Sequence, residues 1–532
     1  MRCVEPDMHP SHPIRTLLLA SSFLLANACA TTKPASPTDI DTLEAQLPPI
    51  PARLGPLHLK IEYPAAGSIR PPVDSTFLFG TTGSGAARLT INDQHVNVAP
   101  NGAFLAFMPI PADGTFRFEA KLGSRTATQR FTYAQPGPPV PSEVATEMLV
   151  KFTTPQLARV VAGRDTLDSG SGIASAAPTP DGDRRWFFPI GSEVVLTGQL
   201  GSLYRIQLTD STEGWLDTST VDIERSGGYR LAPIGPVRIL PQAHYTDVTL
   251  PVDFAPFHIN AQVRHLDLTV YGRTRAPGSI TPDGVVKRAV WISTSQDSSQ
   301  LLLDLNEGLW GFKAFYERNG DLVIRIRHAP DIDPDQPLRG LHILVDPGHP
   351  PGGAIGPTGL KEADANLNIS LRIADMLRER GATVLMTRQT PEPLVSDTSA
   401  SIELLARVDT SVALNVDLLI SVHNNAFPEG INPFKNFGTE TYYYHAFSAP
   451  LAYELLREIR SVTGIPNLGA KKRSLALVRP TWFPSTLTES LFMMFPRQEA
   501  ALRNPDFLDR LAAAHVNGIV SYLQRYLEFS RN

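Results

Sequence analysis

His349, Glu362, His423 and Glu489 are the residues of this chain whose types and placement could do chemistry together. Two imidazoles and one carboxylate make a three-ligand zinc site with a fourth position left for water, the open arrangement of catalytic rather than structural zinc. A metal held in this way brings the pKa of its water down to about 7 and polarises a bound carbonyl. A second carboxylate at hand, Glu489, can take the proton of that water and return it to a leaving amine. Each residue alone is weak evidence. Single histidines are more often hydrogen-bonded or surface groups, which is the expectation for His265, His328, His342 and His445. The glycines of 352–359 carry neither a Gly-x-Gly-x-x-Gly nor a Gly-Lys-Ser/Thr pattern and so do not read as a phosphate loop.

The case rests on the elements that must carry these side chains. Segments 341–345, 383–387 and 418–422 read as buried-type strands with helical stretches between them. The first helix places Leu367, Leu371, Ala374 and Leu377 on one face and stops at Gly381. Ile402, Leu405, Val408 and Val412 mark a second helix and 505–527 a last one. Such alternation implies an α/β domain over 338–530 with a mainly parallel sheet flanked by helices. Sites in open α/β sheets gather beyond the carboxyl ends of the strands. His349 follows the first strand through Asp346-Pro347-Gly348, and His423 follows the strand 418–422 directly. Glu489 ends the strand-like 485–488, and Glu362 lies where the glycine-rich loop turns into the first helix. All four are expected on one edge of the sheet.

Upstream, the 532-residue chain is too long for one core and reads as multidomain, with about three small all-β domains before the α/β domain. Residues 1–30 read as a secretory signal, with an apolar run at 17–26 too short to span a bilayer and small residues at Ala26, Ala28 and Ala30. Cys29 sits where a lipid-anchored envelope protein carries its acylated cysteine, so lipid anchoring and simple cleavage both stay open. Residues 31–54 are rich in Pro, Thr and Ser and are expected to be a tether that buries no core. Segment 55–135 alternates apolar and polar residues in short runs, the pattern of an immunoglobulin-like sandwich. After the proline-rich linker 135–141, segment 143–226 is again short strands, and 227–335 is a third β-rich unit closed by an acidic, proline-broken stretch. The net charge of −5 gives no footing for nucleic acid. The second and last cysteine, Cys3, falls within the signal, so neither a disulfide nor thiolate-bound zinc is expected in the mature chain.

The flanking residues sharpen the chemistry. Val345-Asp346-Pro347-Gly348-His349, Gly359-Leu360-Lys361-Glu362-Ala363-Asp364-Ala365-Asn366-Leu367, Thr387-Arg388 and Ser421-Val422-His423-Asn424-Asn425-Ala426 occur in order. Gly438-Thr439-Glu440-Thr441-Tyr442-Tyr443 and Thr488-Glu489-Ser490-Leu491-Phe492 complete the series. In these segments the last third of the chain resembles the zinc-dependent N-acetylmuramoyl-L-alanine amidases. The resemblance implies one Zn2+ on His349, Glu362 and His423, Glu489 as the catalytic carboxylate, and peptidoglycan as substrate in the periplasm or cell envelope. Arg388 and Glu440 lie in matched segments and are expected to orient the site. Pro350-Pro351 and Leu491 depart from the family pattern, with an expected effect on loop shape and substrate fit. The short segment 427–437 favours an open site, while 389–401 is a candidate cover. Two strands, Tyr204-Arg205-Ile206-Gln207-Leu208 and Gly214-Trp215-Leu216, resemble bacterial Src-homology-3-like domains; the plainer alternative is a small β-spacer with Trp215 in its core. The third unit resembles amidase N-terminal domains by position. Rival readings are a zinc peptidase cutting within the stem peptide and a non-catalytic wall-binding protein.

Overall fold

The computed structural model describes residues 42–134, 148–162, 172–178, 184–229, 232–274, 279–295, 297–396 and 399–531. The expected signal 1–30 with Cys29 and the linker 135–141 lie outside them. Among the described residues no helix is long and apolar enough to cross a membrane.

The first unit has two sheets. Strands β1 (Lys60–Tyr63), β2 (Ser75–Thr81) and β3 (Ala103–Pro109) pair antiparallel in that order. Gln94–Val96, Arg88–Ile91, Thr115–Leu122 and Arg125–Thr132 form the other sheet. Leu78, Phe104, Phe116 and Phe118 fill the space between. Because side chains alternate along a strand, the run Phe77-Leu78-Phe79 makes β2 apolar on both faces. Leu78 turns into the unit's own core, while Phe77, Phe79 and Leu105 enter the core of the C-terminal domain.

The expected tether is described from Thr42 onward, and there it is docked. Leu47 is 2% exposed within the C-terminal core and Glu44 is buried beside it. Its composition misled because one leucine and one carboxylate that find prepared partners suffice to hold so short a segment.

The second unit is a seven-stranded sheet around Trp186, Phe188, Leu196 and Leu216. Trp215 is not in that core. Along Thr212–Asp217 the alternation turns Gly214 and Leu216 inward, leaving Trp215 half-exposed on a cleft of about 740 Å³ shared with Leu404 and Leu405 of the C-terminal domain. The third unit packs two four-stranded sheets over a core that includes Leu250, Leu268, Leu303 and Ile324. Its last strand (Asp321–Arg327) delivers Arg327 to the base of the C-terminal sheet, where the guanidinium donates to the carbonyls of Val416 at 2.7 Å and Trp482 at 3.2 Å and to the Asp417 carboxylate at 2.5 Å.

The C-terminal domain contains β4 (His342–Pro347), α1 (Glu362–Glu379), β5 (Thr383–Met386), α2 (Ala400–Ala413), β6 (Leu418–Asn425), β7 (Thr439–Tyr443), α3 (Ala449–Thr463), β8 (Asn467–Lys472), β9 (Ser485–Phe492), α4 (Pro496–Ala501) and α5 (Pro505–Arg531). The sheet order is β5-β4-β6-β9-β7-β8. The first four strands run parallel, and β7 turns the direction over by pairing antiparallel with β9. Helix α1 buries Ile369, Ile373 and Leu377 against the sheet, and Gly381 lies just past its end. Helix α2 departs from its expected apolar face: Val408 is buried but Ile402 is 45% exposed, and the buried positions include Glu403 and Arg407. That helix is held inward by charge rather than by a greasy stripe.

Arg327 and Asp417 are both nearly enclosed, so removing one leaves the other buried without its counter-charge, a loss of about 3–5 kcal/mol. Arg327→Met is therefore expected to lower the main calorimetric unfolding transition and to separate melting of the third unit from that of the α/β domain.

Candidate metal and catalytic site

Glu362 is the first residue of α1, where unpaired backbone N–H groups and the helix dipole favour a negative charge. Its side chain is buried, and the carboxylate accepts from the Ala354 amide at 2.9 Å and from Asn366 Nδ2 at 3.2 Å. His349 Nε2 lies 3.3 Å from Glu362 Oε2, and His423 Nδ1 lies 3.2 Å from Glu362 Oε1. The two imidazoles stand nearly edge to face, their centroids 5.0 Å apart. One ligand atom from each of the three residues falls within 4.8 Å of the others. This donor set, two imidazole nitrogens and a carboxylate oxygen converging from three separate elements, fits a zinc ion.

The geometry is tight. A Cβ on Gly348 would sit 2.2 Å from His423 Nε2, so only glycine fits between the strand end and that imidazole. His349 itself adopts a left-handed backbone, φ 59°, which is unfavourable for a residue with a side chain and persists only where surroundings over-determine it. They do. Arg407 donates to the carbonyls of Pro347 at 2.7 Å, His349 at 3.0 Å and Pro350 at 3.1 Å. Arg388 grips the carbonyls of Pro347, Gly348 and Ala363 at 3.0, 3.0 and 2.7 Å. The Pro351 carbonyl faces His349 Nδ1 at 3.1 Å, which assigns the Nδ1 proton there and leaves Nε2 free for the metal position.

Asp346 completes this scaffold. It is 1% exposed and takes bonds from Arg407, Thr387 and Ser421. Burial alone would push its carboxyl up, yet the Arg407 charge and the two hydroxyls hold it below the usual range. Burial, with the neighbouring Arg407, brings the Arg388 guanidinium down to about 10, so it stays charged at neutral pH. For Glu362 burial also works against ionisation, but the hydrogen bonds and charges of His349 and His423 outweigh it and keep the group ionised. Asn366 bonds the Gly348 carbonyl as well as Glu362, and Asn424 donates to Asn366 at 2.9 Å.

Glu489 lies opposite His423 on one side and Glu440 on the other, within β9 rather than at its end. Pairing persists to Phe492, which extends the strand past the expected limit. Glu489 Oε2 is enclosed and has no hydrogen-bond partner among the described residues. Burial, followed by the charges of Glu362 and Glu440, raises its carboxyl well above the ordinary value. Glu440 is held by Asn425 Nδ2 and Tyr442 OH, each at 2.6 Å, and by Lys471. Leu491 was expected to shape the substrate pocket but is wholly buried in the core, because the pairing of β6 with β9 slips between His423 and Asn425 and re-aims the residues beyond Glu489. His265, His328, His342 and His445 stay apart from the site. His445, for example, is buried against the Arg479 carbonyl at 2.8 Å.

The structure thus brings all four candidate residues together. Asp346, Asn366, Glu403, Arg407 and Asn424 were missed by sequence reasoning. The pair Glu403 and Arg407, four apart on a helix with a thin apolar stripe, was the available signal.

A family model described as N-acetylmuramoyl-L-alanine amidase matches residues 343–521. The germination-specific N-acetylmuramoyl-L-alanine amidase of Bacillus subtilis strain 168 is 31% identical over 197 residues, covering 35% of this chain and 81% of that protein. The N-acetylmuramoyl-L-alanine amidase LytC of the same organism is 30% identical over 192 residues, 35% of this chain and 36% of its own length. Among solved structures, that of the amidase AmiC2 of Nostoc punctiforme shares 30% identity over 35% of this chain and 98% of its own, with a TM-score of 0.30.

His349→Ala is expected to abolish stoichiometric zinc binding. Arg388→Lys, which cannot grip three carbonyls from one planar fork, should keep the fold and weaken zinc by about 10- to 100-fold. Competition against a chromogenic chelator measures both.

Proposed function

We propose how this chain, which belongs to the N-acetylmuramoyl-L-alanine amidase family, carries out its reaction, hydrolysis of the amide joining N-acetylmuramic acid to the L-alanine of the peptidoglycan stem peptide. The bond is an unactivated amide, so it calls for an electrophile, a nucleophile and a proton path at once. His349, Glu362 and His423 would hold one zinc ion, which when bound would supply Lewis acidity towards the carbonyl and lower the pKa of water. His349 presents Nε2 because its Nδ1 proton is engaged by the Pro351 carbonyl. Glu489 is the general base and then the acid: a carboxylate oxygen receives the proton of the attacking water and delivers it to the departing alanine nitrogen. Glu440, paired with Lys471 and bonded to Asn425 and Tyr442, keeps the adjoining strand in place.

The observation that carries this reading is the pairing of His423 with Glu489 across β6 and β9, which sets an unpartnered carboxylate oxygen beside the three-ligand cluster. Burial and two neighbouring carboxylates raise the pKa of this acid, the direction that helps it hand a proton to a leaving amine.

Export to the cell envelope follows from the substrate, with the signal-like segment 1–30 as its means and Cys29 as a candidate lipid attachment point. The units 143–226 and 227–335 are proposed to bring the α/β domain to its polymeric substrate.

Digestion of purified peptidoglycan should release free stem peptides beginning at L-alanine, stop with a chelator and resume with added zinc. Truncated stems still joined to muramic acid would instead mean a peptidase. Glu489→Gln should retain zinc and lose at least about a hundredfold in kcat; turnover at the parent rate would remove Glu489 from the reaction.

A further inference from the structure

Three contacts tie the first unit and the segment before it to the back of the catalytic site, and the family chemistry accounts for none of them. Glu44 is 3% exposed and accepts from Gln498 Nε2 at 2.7 Å. The same Gln498, fully buried, turns its Oε1 to the Phe492 amide at 2.7 Å, on the strand that carries Glu489. Arg497 donates to the Leu47 carbonyl at 2.9 Å and so pins the segment beside α4. On the other flank Tyr63 hydroxyl bonds Glu429, in the loop that leaves β6 after His423. Tyr63 is itself stacked on Phe79 with ring centroids 5.4 Å apart. The two flanks meet where Phe427 stacks on Phe492 at 4.4 Å.

The chemistry of Gln498 gives these contacts a direction. An amide side chain can present either its oxygen or its NH2 to a given neighbour, whereas a carboxylate only accepts. With Glu44 in place, the NH2 must face Glu44 and the oxygen must face the Phe492 N–H. Without it, the buried Nε2 loses that acceptor, and the amide that meets the Phe492 N–H, three residues beyond Glu489, is anchored from one end only. Glu499, next along α4, accepts from the Thr358 and Leu360 amides and so fastens the loop that enters Glu362. One short helix thereby serves both carboxylates of the site, and Glu44 fixes that helix from outside the domain.

We propose that Glu44 and Tyr63, both outside the catalytic domain, are positioning residues for the amide hydrolysis: Glu44 acts through Gln498 on the strand bearing Glu489, and Tyr63 acts through Glu429 on the loop after His423. The first unit is then part of the catalytic apparatus rather than a separate wall-binding module. Both faces of its sheet β1-β2-β3 are spent, Leu78 on its own core and Phe77, Phe79 and Leu105 on that of the α/β domain. The inference rests on the amidase reading for its kinetic arm only.

The test uses the full chain with Glu44→Ala, Glu44→Gln and Tyr63→Phe. On a soluble muropeptide, Glu44→Ala is expected to lower kcat by about tenfold with KM and zinc content unchanged. Glu44→Gln, which can still offer an oxygen to Gln498, should restore the rate. Hydrogen exchange gives a readout independent of turnover: the amide of Phe492 should exchange faster in Glu44→Ala and recover in Glu44→Gln, and the amides of 426–430 should exchange faster in Tyr63→Phe. Parent-like kcat and exchange in Glu44→Ala would overturn the proposal, as would a Gln variant no better than Ala or a change confined to KM. If the parent protein turns over no muropeptide, the amidase reading fails and exchange alone decides the inference.

Discussion

The ionised carboxylate of Glu362, held beneath the surface, is the constraint around which the α/β domain is arranged. Burying an unpaired carboxylate costs several kcal/mol even after relaxation. Here the helix N-terminus, the Ala354 amide, Asn366 and two imidazoles offset that cost together. No two of these partners come from adjacent residues, so the charge is tolerable only when β4, α1 and β6 are all assembled. Two imidazoles and a carboxylate whose ligand atoms converge in this way make a group that could hold a metal ion, which sets the cluster apart from an ordinary buried ion pair.

The scaffold behind it obeys the same logic. Arg407 and Arg388 are buried cations whose donors go largely to backbone carbonyls of 347–350, so the loop that strains His349 is fixed by charge-assisted bonds. Asp346 and Glu403 balance Arg407 on either side. Glu489 sits in a different environment, with one oxygen unpartnered, although it is only a strand away. The surroundings thus push the two carboxyls in opposite directions, Glu362 below and Glu489 above the ordinary value.

The convergence of the four residues was legible because strand-helix alternation places strand ends on one edge, and the order β4, β6, β9 puts His349, just past the end of β4, beside His423 and Glu489 on the next two strands. The supporting charges were harder to read. A salt bridge such as Asp346 to Arg407 joins residues on different elements and has no period in the sequence. Trp215 shows the same limit at smaller scale, since a strand's alternation says which residues share a face but not which face is the core. Docking of Leu47 and Glu44 onto residues some 450 positions later had no local signal. The two-faced apolar run Phe77-Leu78-Phe79 was the sign that β2 is covered on both sides.

X-ray absorption at the zinc edge of the purified full chain tests the central claim most directly. The account predicts about one zinc per chain, with two imidazole nitrogens and carboxylate oxygen in a four-coordinate shell at about 2.0–2.2 Å. An all-oxygen shell, or a shell unchanged by His423→Ala, would contradict it.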